Sequence, residues 1–309
     1  MNGVLVVDKP EGWTSFDVVG KLRRLSGEKR IGHTGTLDPM ATGVLPLLLG
    51  RATKAASLLP DTHKMYLGHF RLGEEWDTGD ITGKQTAVSP VRPDLRALTE
   101  AAGALVGEIM QLPPMYSAVS VHGQRLYSLA RQGKEVERER RPVTIHRLEI
   151  LDYNEREGTG SLLVSCSQGT YIRTLIEDLA KGAGTLGVMT ALRRTFACGF
   201  TQENAYSIQE LIDLAEKSPQ GEENPLTGLL RPTEQLFAGY PVVRLSEAQG
   251  KRFQNGGFLD EHRLRGQLLP GGTPVRVHDA QGLFLGLGKR SDQGDQSVLK
   301  LLKLFECAS

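Results

Sequence analysis

A chain of 309 residues, 39% hydrophobic and 24% charged, has the composition of a soluble globular protein with room for a large core and two domains. No apolar run approaches the roughly 20 residues that cross a bilayer, and the opening MNGVLVVDKP lacks the pattern of a secretion signal, so a cytoplasmic protein is expected. The net charge of +1 is unevenly spread: residues 21–54 carry seven Lys/Arg against two acids, and residues 115–147 seven against three, which suits either local polyanion binding or ordinary solvated helix faces.

In chain order, Val4–Val7 reads as a short buried strand. After the turn DKPEGWTS, Thr14 to Asp17 has capping-box form, Val18, Leu22 and Leu25 give a helix one apolar face, and Gly27 stops it. The stretch 30–50, RIGHTGTLDPMATGVLPLLLG, then divides into a loop rich in Gly, Thr and Pro and an apolar run suited to a buried strand or helix start. Asp38 is the only carboxylate in residues 29–50, and Pro39 biases it toward extended geometry. Turn chemistry alone makes it a cap or an Asx-turn residue. The glycines fit neither a phosphate loop nor a dinucleotide fingerprint.

Alternation over Met65–Leu72 predicts a strand carrying Tyr66, and TGDITG, with Asp80, a loop. Residues 94–106 form a helix through Leu95, Leu98, Ala102 and Leu105. A short helix over 124–132 presents Leu126 and Leu129 and stops at Gly133, within the basic segment that also holds Tyr116 and Tyr127. SLLVSCSQ reads as a strand that GTYIRTLIEDLA turns into a helix; on an extended stretch Tyr171 and Arg173 would share a face. Leu192, in MTALRRT, reads as a core residue at a helical position. Ser207 to Glu210 is a second capping box, and 218–228 an exposed loop. From Val242 a capped helix, a hairpin turning at 279–282 and a closing strand are expected. The three cysteines, Cys166, Cys198 and Cys307, are far apart and form no CxxC, which argues for a reducing compartment and against zinc.

GHTGTLDPMATGVL resembles the active-site motif of the TruB family of pseudouridine synthases. KPEGWTSFDVV, the K-x-Y at 64–66, PPMYSA with G-x-R-L-Y-x-L-A-R-x-G, GTYIRTL and MTALRRT are similar to further strings of that family. The likeness runs closely over residues 3–236 and loosely beyond. It implies a mixed α/β (α+β) catalytic domain, 1–238, with a curved, mostly antiparallel sheet and an RNA-clamping insertion at 115–147. A PUA-like RNA-binding β domain would follow at 239–309. The implied reaction converts uridine to pseudouridine in the T-loop (position 55) of tRNA: the base is flipped out, N1–C1′ breaks, the uracil rotates and C5 bonds to C1′. No cofactor and no metal are implied, the partner is the tRNA T-stem-loop, and a monomer is expected.

By the same resemblance Asp38 is the nucleophile, Arg173 its ionic partner, and Tyr66 lies against the uracil as the candidate for removing the C5 proton. His33 contacts the displaced RNA, and Tyr171 and Leu192 border the base. Lys9 and Asp80 are assigned structural roles. Attack at C1′, attack at C6 and assistance to a glycal route are all compatible with one carboxylate. A non-catalytic tRNA-folding chaperone would show the same basic segments and tail; the joint presence of Asp38, Tyr66, Tyr171 and Arg173 favours the enzyme. A glycosidase would ordinarily need a second carboxylate, and no paired acid motif occurs.

Overall fold

The computed structural model describes residues 1–60, 62–117, 120–121, 123–130, 132–134, 136–217, 224–264, 271–293 and 296–305. The chain opens with β1 (Gly3–Lys9), α1 (Ser15–Ser26), β2 (Ile31–His33), β3 (Thr42–Leu49) and β4 (Lys64–Leu72). A small hairpin, β5 (Glu74–Trp76) and β6 (Gln85–Val88), precedes α2 (Leu95–Ala104) and β7 (Gly107–Gln111). Next come the two-residue strands β8 (Ser120–Val121) and β9 (Gln124–Arg125), α3 (Leu126–Ala130), the long β10 (Arg141–Asn154) and β11 (Thr159–Cys166). α4 (Ile172–Gly182), β12 (Gly187–Ala197), β13 (Phe200–Thr201), β14 (Tyr206–Ser207) and α5 (Ile208–Glu216) complete the first part. The fold is mixed α/β, built on a ten-stranded sheet of order β14-β1-β3-β12-β4-β11-β10-β7, with β13 on β12 and β2 on β3. Within this sheet, among the described residues, only the β1–β14 and β3–β12 pairings are parallel.

Helices cover the sheet according to its pleat. On one face α2 and α4 pack on Phe70, Leu72, Leu162, Val164 and Met189. Near the other end α1 and α5 pack on Leu5, Val7, Leu45 and Leu47, while the alternate residues Val4, Val6, Val44 and Leu48 enter a second cluster. β1 and β3 are therefore buried on both faces, which is why VLVV and GVLPLLL are continuous apolar runs rather than alternating ones. The capping boxes at Thr14/Asp17 and Ser207/Glu210 form as expected, and Gly27 ends α1 at φ +69°. No helix among the described residues is long and apolar enough to cross a membrane.

Two local expectations change. MTALRRT is strand, not helix: it lies in β12, which takes antiparallel bonds from β4 and parallel ones from β3 and so sits mid-sheet. The helix expected over 124–132 is shortened to α3, because Gln124 and Arg125 pair back onto Ser120 and Val121. Residues 118, 119, 122, 131 and 135 of the basic segment, and 218–223 of the expected 218–228 loop, lie outside the described residues.

A second, five-stranded sheet has the order β15-β17-β18-β19-β16, from β15 (Val242–Arg244), β16 (Leu259–Asp260), β17 (Pro274–His278), β18 (Phe284–Gln293) and β19 (Gln296–Leu304), with α6 (Glu247–Gln254) beside it. It shares a core with the first. Phe284, Leu287 and Phe305 pack with Phe237, Val4, Val6 and Leu48, and the Phe237 and Phe305 rings lie 5.2 Å apart. Glu234 Oε1 accepts from Arg276 Nη1 at 2.8 Å and lies 2.8 Å from His278 Nε2. This C-terminal β domain is a packing partner of the body, and its removal would strip apolar cover from β1 and β3.

Gly43 shows how tightly β3 and β12 meet. Its φ is +103°, and a Cβ there would lie 2.2 Å from the Arg194 carbonyl oxygen. Gly43→Ala is predicted to cost about 1–3 kcal/mol in backbone strain and more from the displaced strand. Gly103→Ala, on an open face of α2 where a Cβ meets nothing, should be neutral or stabilise by about 0.4–1 kcal/mol. Urea midpoints at constant m-value measure both, and equal midpoints would contradict the steric account.

Candidate active site

Asp38 sits in the loop between β2 and β3, whose antiparallel ladder (Ile31 to Leu49, His33 to Leu47) fixes both ends. The loop is tied down on each side of the aspartate. Leu37 N–H donates to Ser15 Oγ at 2.9 Å, Gly12 N–H donates to Pro39 O at 2.8 Å, and Ala41 N–H donates to Asp38 O at 3.0 Å. Lys9, wholly buried, gives its ammonium to the carbonyls of Pro10, Trp13 and Pro39. Burial pushes its pKa down to about 8, with the Asp38 charge acting the other way. The Asp38 carboxylate itself remains 38% exposed, accessible to a ligand.

Arg173 is the counterpart, buried to 5% and bonded on every side. Nη2 reaches Asp38 Oδ2 at 2.8 Å and donates to Tyr116 O at 2.9 Å, Nη1 donates to Thr78 O at 2.8 Å, and Nε lies 3.7 Å from Asp80 Oδ2. The contact with Asp38 is single-point rather than a two-pronged fork, because the other donors hold the 78–80 loop and Tyr116. Tyr171 and Arg173 do not share an extended face: Tyr171 is the N-cap of α4 and Arg173 lies in the helix's first turn. A cation there opposes the helix dipole, and the two carboxylates offset it. Asp80 accepts from Thr78 Oγ1, Thr82 Oγ1 and Thr82 N–H, so it orders the loop as expected while also facing Arg173.

Of the other candidates, Tyr66 and Tyr171 lie near Asp38, Leu192 shares a cluster with Tyr66, and His33 stands beside Arg194 rather than Asp38. Tyr66 on β4 is directly opposite Arg194 of β12, and Leu192, opposite Gly68, is on the same sheet face. Tyr66, Leu192, Leu37, Ala41 and Ile172 belong to one buried cluster. Burial raises the Tyr66 phenol above its ordinary range, with Arg194 pulling it down, and the Tyr171 phenol is raised by burial too; both are protonated at neutral pH. Asp38 is close enough for its charge to act on both rings. His33 is half-buried at the end of β2; burial, then Arg194, lowers its pKa, so the ring is neutral at pH 7. Its buried Nδ1 makes no hydrogen bond among the described residues.

Two residues of this site were not singled out from the sequence. Gln111, at the end of β7 and 1% exposed, grips the Tyr171 backbone from both directions: Nε2 donates to Tyr171 O and Oε1 accepts from Tyr171 N–H. Arg194, fully buried, donates from Nε to Val44 O at 2.7 Å and from Nη2 to Gly35 O at 3.1 Å, while Nη1 is without a partner among the described residues. A lone Gln after an alternating strand carries no signal, but the second Arg of LRRT does: an arginine on the inward phase of a central strand must bond something buried.

A partly exposed carboxylate held by a buried guanidinium, beside an apolar cluster and near two protonated phenols, can present a fixed nucleophile to a flat ligand. The family profile described as "TruB family pseudouridylate synthase (N terminal domain)" matches residues 23–172. "tRNA pseudouridylate synthase B C-terminal domain" matches 173–238, and "Pseudouridine synthase II TruB, C-terminal" matches 241–301. The chain is 42% identical to the tRNA pseudouridine synthase B of Aromatoleum aromaticum over 309 residues, covering 100% of this chain and 95% of the relative. It is 40% identical to that of Haemophilus influenzae, over 94% and 91% of the two chains. The fold is similar to one in the crystal structure of a Cbf5-Nop10-Gar1 complex, with TM-score 0.74 and 23% identity over 98% of this chain and 85% of that one. Profile, full-length relatives and fold agree: the chain belongs to the TruB family of pseudouridylate synthases, which are isomerases.

Proposed function

We propose that this protein isomerises uridine to pseudouridine in tRNA, at the T-loop, with Asp38 as the nucleophile. The observation that carries the reading is the 2.8 Å pair between Asp38 and Arg173, with Tyr66 and Tyr171 near enough for the Asp38 charge to act on both and Leu192 packed in the same cluster as Tyr66. Arg173, anchored by Thr78 O, Tyr116 O and Asp80, keeps the carboxylate oriented once RNA displaces water from its exposed side. Tyr66 supports one face of the uracil and offers its hydroxyl near C5, Leu192 packs beside it, and Tyr171 borders the opening. His33, neutral at pH 7, works as a wedge by shape and hydrogen bonding rather than by charge on the displaced RNA. The bond from N1 to C1′ is exchanged for one from C5 to C1′, the proton on C5 is lost and N1 takes one up, so the reaction is an isomerisation and needs no redox partner.

In this reading residues 1–238 hold the chemistry, 115–147 clamp the RNA hairpin, and 239–309 extend the grip from a packed position. Arg138 and Arg140 donate to the carbonyls of Pro113 and Met110, so they brace the clamp as well as adding to its charge. The relatives' name and the basic segments support a tRNA substrate.

The direct test is to incubate the protein with an unmodified tRNA transcript and map pseudouridine. One modified T-loop uridine is expected; modification elsewhere, or none, would remove the assignment. A second test concerns Arg173. Arg173→Lys keeps the charge but cannot reach Asp38, Thr78 O and Tyr116 O together, so single-turnover formation should fall by about 10²-fold as the carboxylate loses its position. A wild-type rate in that variant would mean that Asp38 is held by something else.

A further inference from the structure

The outer face of α1 runs away from the nucleophile loop and has no partner among the described residues. Phe16 stands on it 70% exposed, in a shallow depression with Gly12, Trp13, Gly20, Lys21 and Arg24. Phe16, Gly20 and Arg24 are spaced one turn apart on a single face. Gly20 leaves the surface bare between ring and guanidinium, since a Cβ there would meet nothing within 4 Å. The depression is fastened to the active-site loop: Gly12 N–H donates to Pro39 O, and Ser15, next to Phe16, accepts from Leu37 N–H, so both neighbours of Asp38 are bonded to its rim. Asp17 also lines it, but its carboxylate is turned to the helix start, accepting from Thr14 N–H at 2.8 Å and Thr14 Oγ1 at 2.6 Å. Lys21 and Arg24 have no ion-pair partner among the described residues.

We propose that this face is a docking groove for the substrate RNA outside the base pocket, with Phe16 stacking on an unpaired base and Lys21 and Arg24 taking the adjoining phosphates. The inference rests on the reading of the protein as an RNA-acting pseudouridine synthase. An exposed aromatic ring is a sequence-tolerant platform for a splayed base, because every base has a π-face. Along the helix axis Lys21 and Arg24 are about 7.5 and 12 Å beyond Phe16, so a strand leaving the cleft past the ring meets the two cations in succession. Lys21 and Arg24 belong to residues 21–54, a segment of net charge +5, and are its two cations that line the depression. A face that bound a protein by apolar burial would have little use for two unpaired cations beside a single ring.

The test is equilibrium binding of unmodified tRNA to the full-length protein and four variants, with thermal melting on each. Phe16→Ala and Phe16→Leu should both weaken binding roughly five- to hundred-fold, the loss of one stacked base, with unchanged melting because the ring is exposed. Phe16→Tyr should bind like wild type. Lys21→Gln with Arg24→Gln should reduce the slope of log affinity on log salt by about 0.7 per lost phosphate contact. Wild-type affinity in Phe16→Ala, or full retention in Phe16→Leu, overturns the stacking groove while leaving the isomerase reading in place, provided wild type binds and modifies the RNA. If wild type does neither, that reading fails and the groove falls with it.

Discussion

The site depends on one guanidinium. Arg173 is buried at the start of α4 and touches four residues in three other chain segments: Asp38 in the β2–β3 loop, Thr78 and Asp80 in the β5–β6 hairpin, and Tyr116 in the basic segment. A buried arginine is tolerable only when its donors are satisfied and its charge is balanced. Asp80 and the two carbonyls meet much of that requirement without Asp38. Asp38 can therefore stay 38% exposed while its partner stays fixed. Had Arg173 spent both prongs on Asp38, the 78–80 loop and Tyr116 would lack the contact that draws them toward the cleft.

Around this point the sheet supplies rigidity. β12 is bonded to β3 on one side and β4 on the other, so Arg194, Leu192 and Tyr66 take their positions from register rather than from loops. Arg194 also donates to Gly35 O and Val44 O, tying the Asp38 loop to the sheet beneath it. Lys9 and Ser15 hold the opposite flank through Pro39 and Leu37. A carboxylate fixed from two sides and exposed on a third is preorganised for attack, the condition under which positioning lowers a barrier most.

Much of this was legible in the chain because it is local. The capping boxes, the αL glycine after α1, the doubly buried runs of β1 and β3, and the loop bearing Asp38 all follow from residues within a few positions of each other. What was not legible depends on distant partners. Gln111 bonds Tyr171 across 60 positions, and Arg194 bonds Val44 across 150. MTALRRT reads as helix by itself, and only its two neighbouring strands make it a strand. Nothing local in Phe284, Leu287 or Phe305 says that they enter a core begun by Val4 and Val6, so the packing of the C-terminal sheet on the body is not legible in the chain. The likeness to TruB sequences named the site residues without saying how Arg173 divides its donors.

The central claim is that Asp38 is the nucleophile and Arg173 only its holder. Single-turnover mapping of pseudouridine with Asp38→Asn, at protein concentrations that saturate the tRNA, tests it most directly. Asparagine is nearly isosteric, and Arg173 keeps Asp80 and its two carbonyls, so the variant should fold and bind tRNA within several-fold of wild type. The account predicts no pseudouridine formation by this folded, RNA-bound variant. Turnover by Asp38→Asn at a rate comparable to wild type would contradict it.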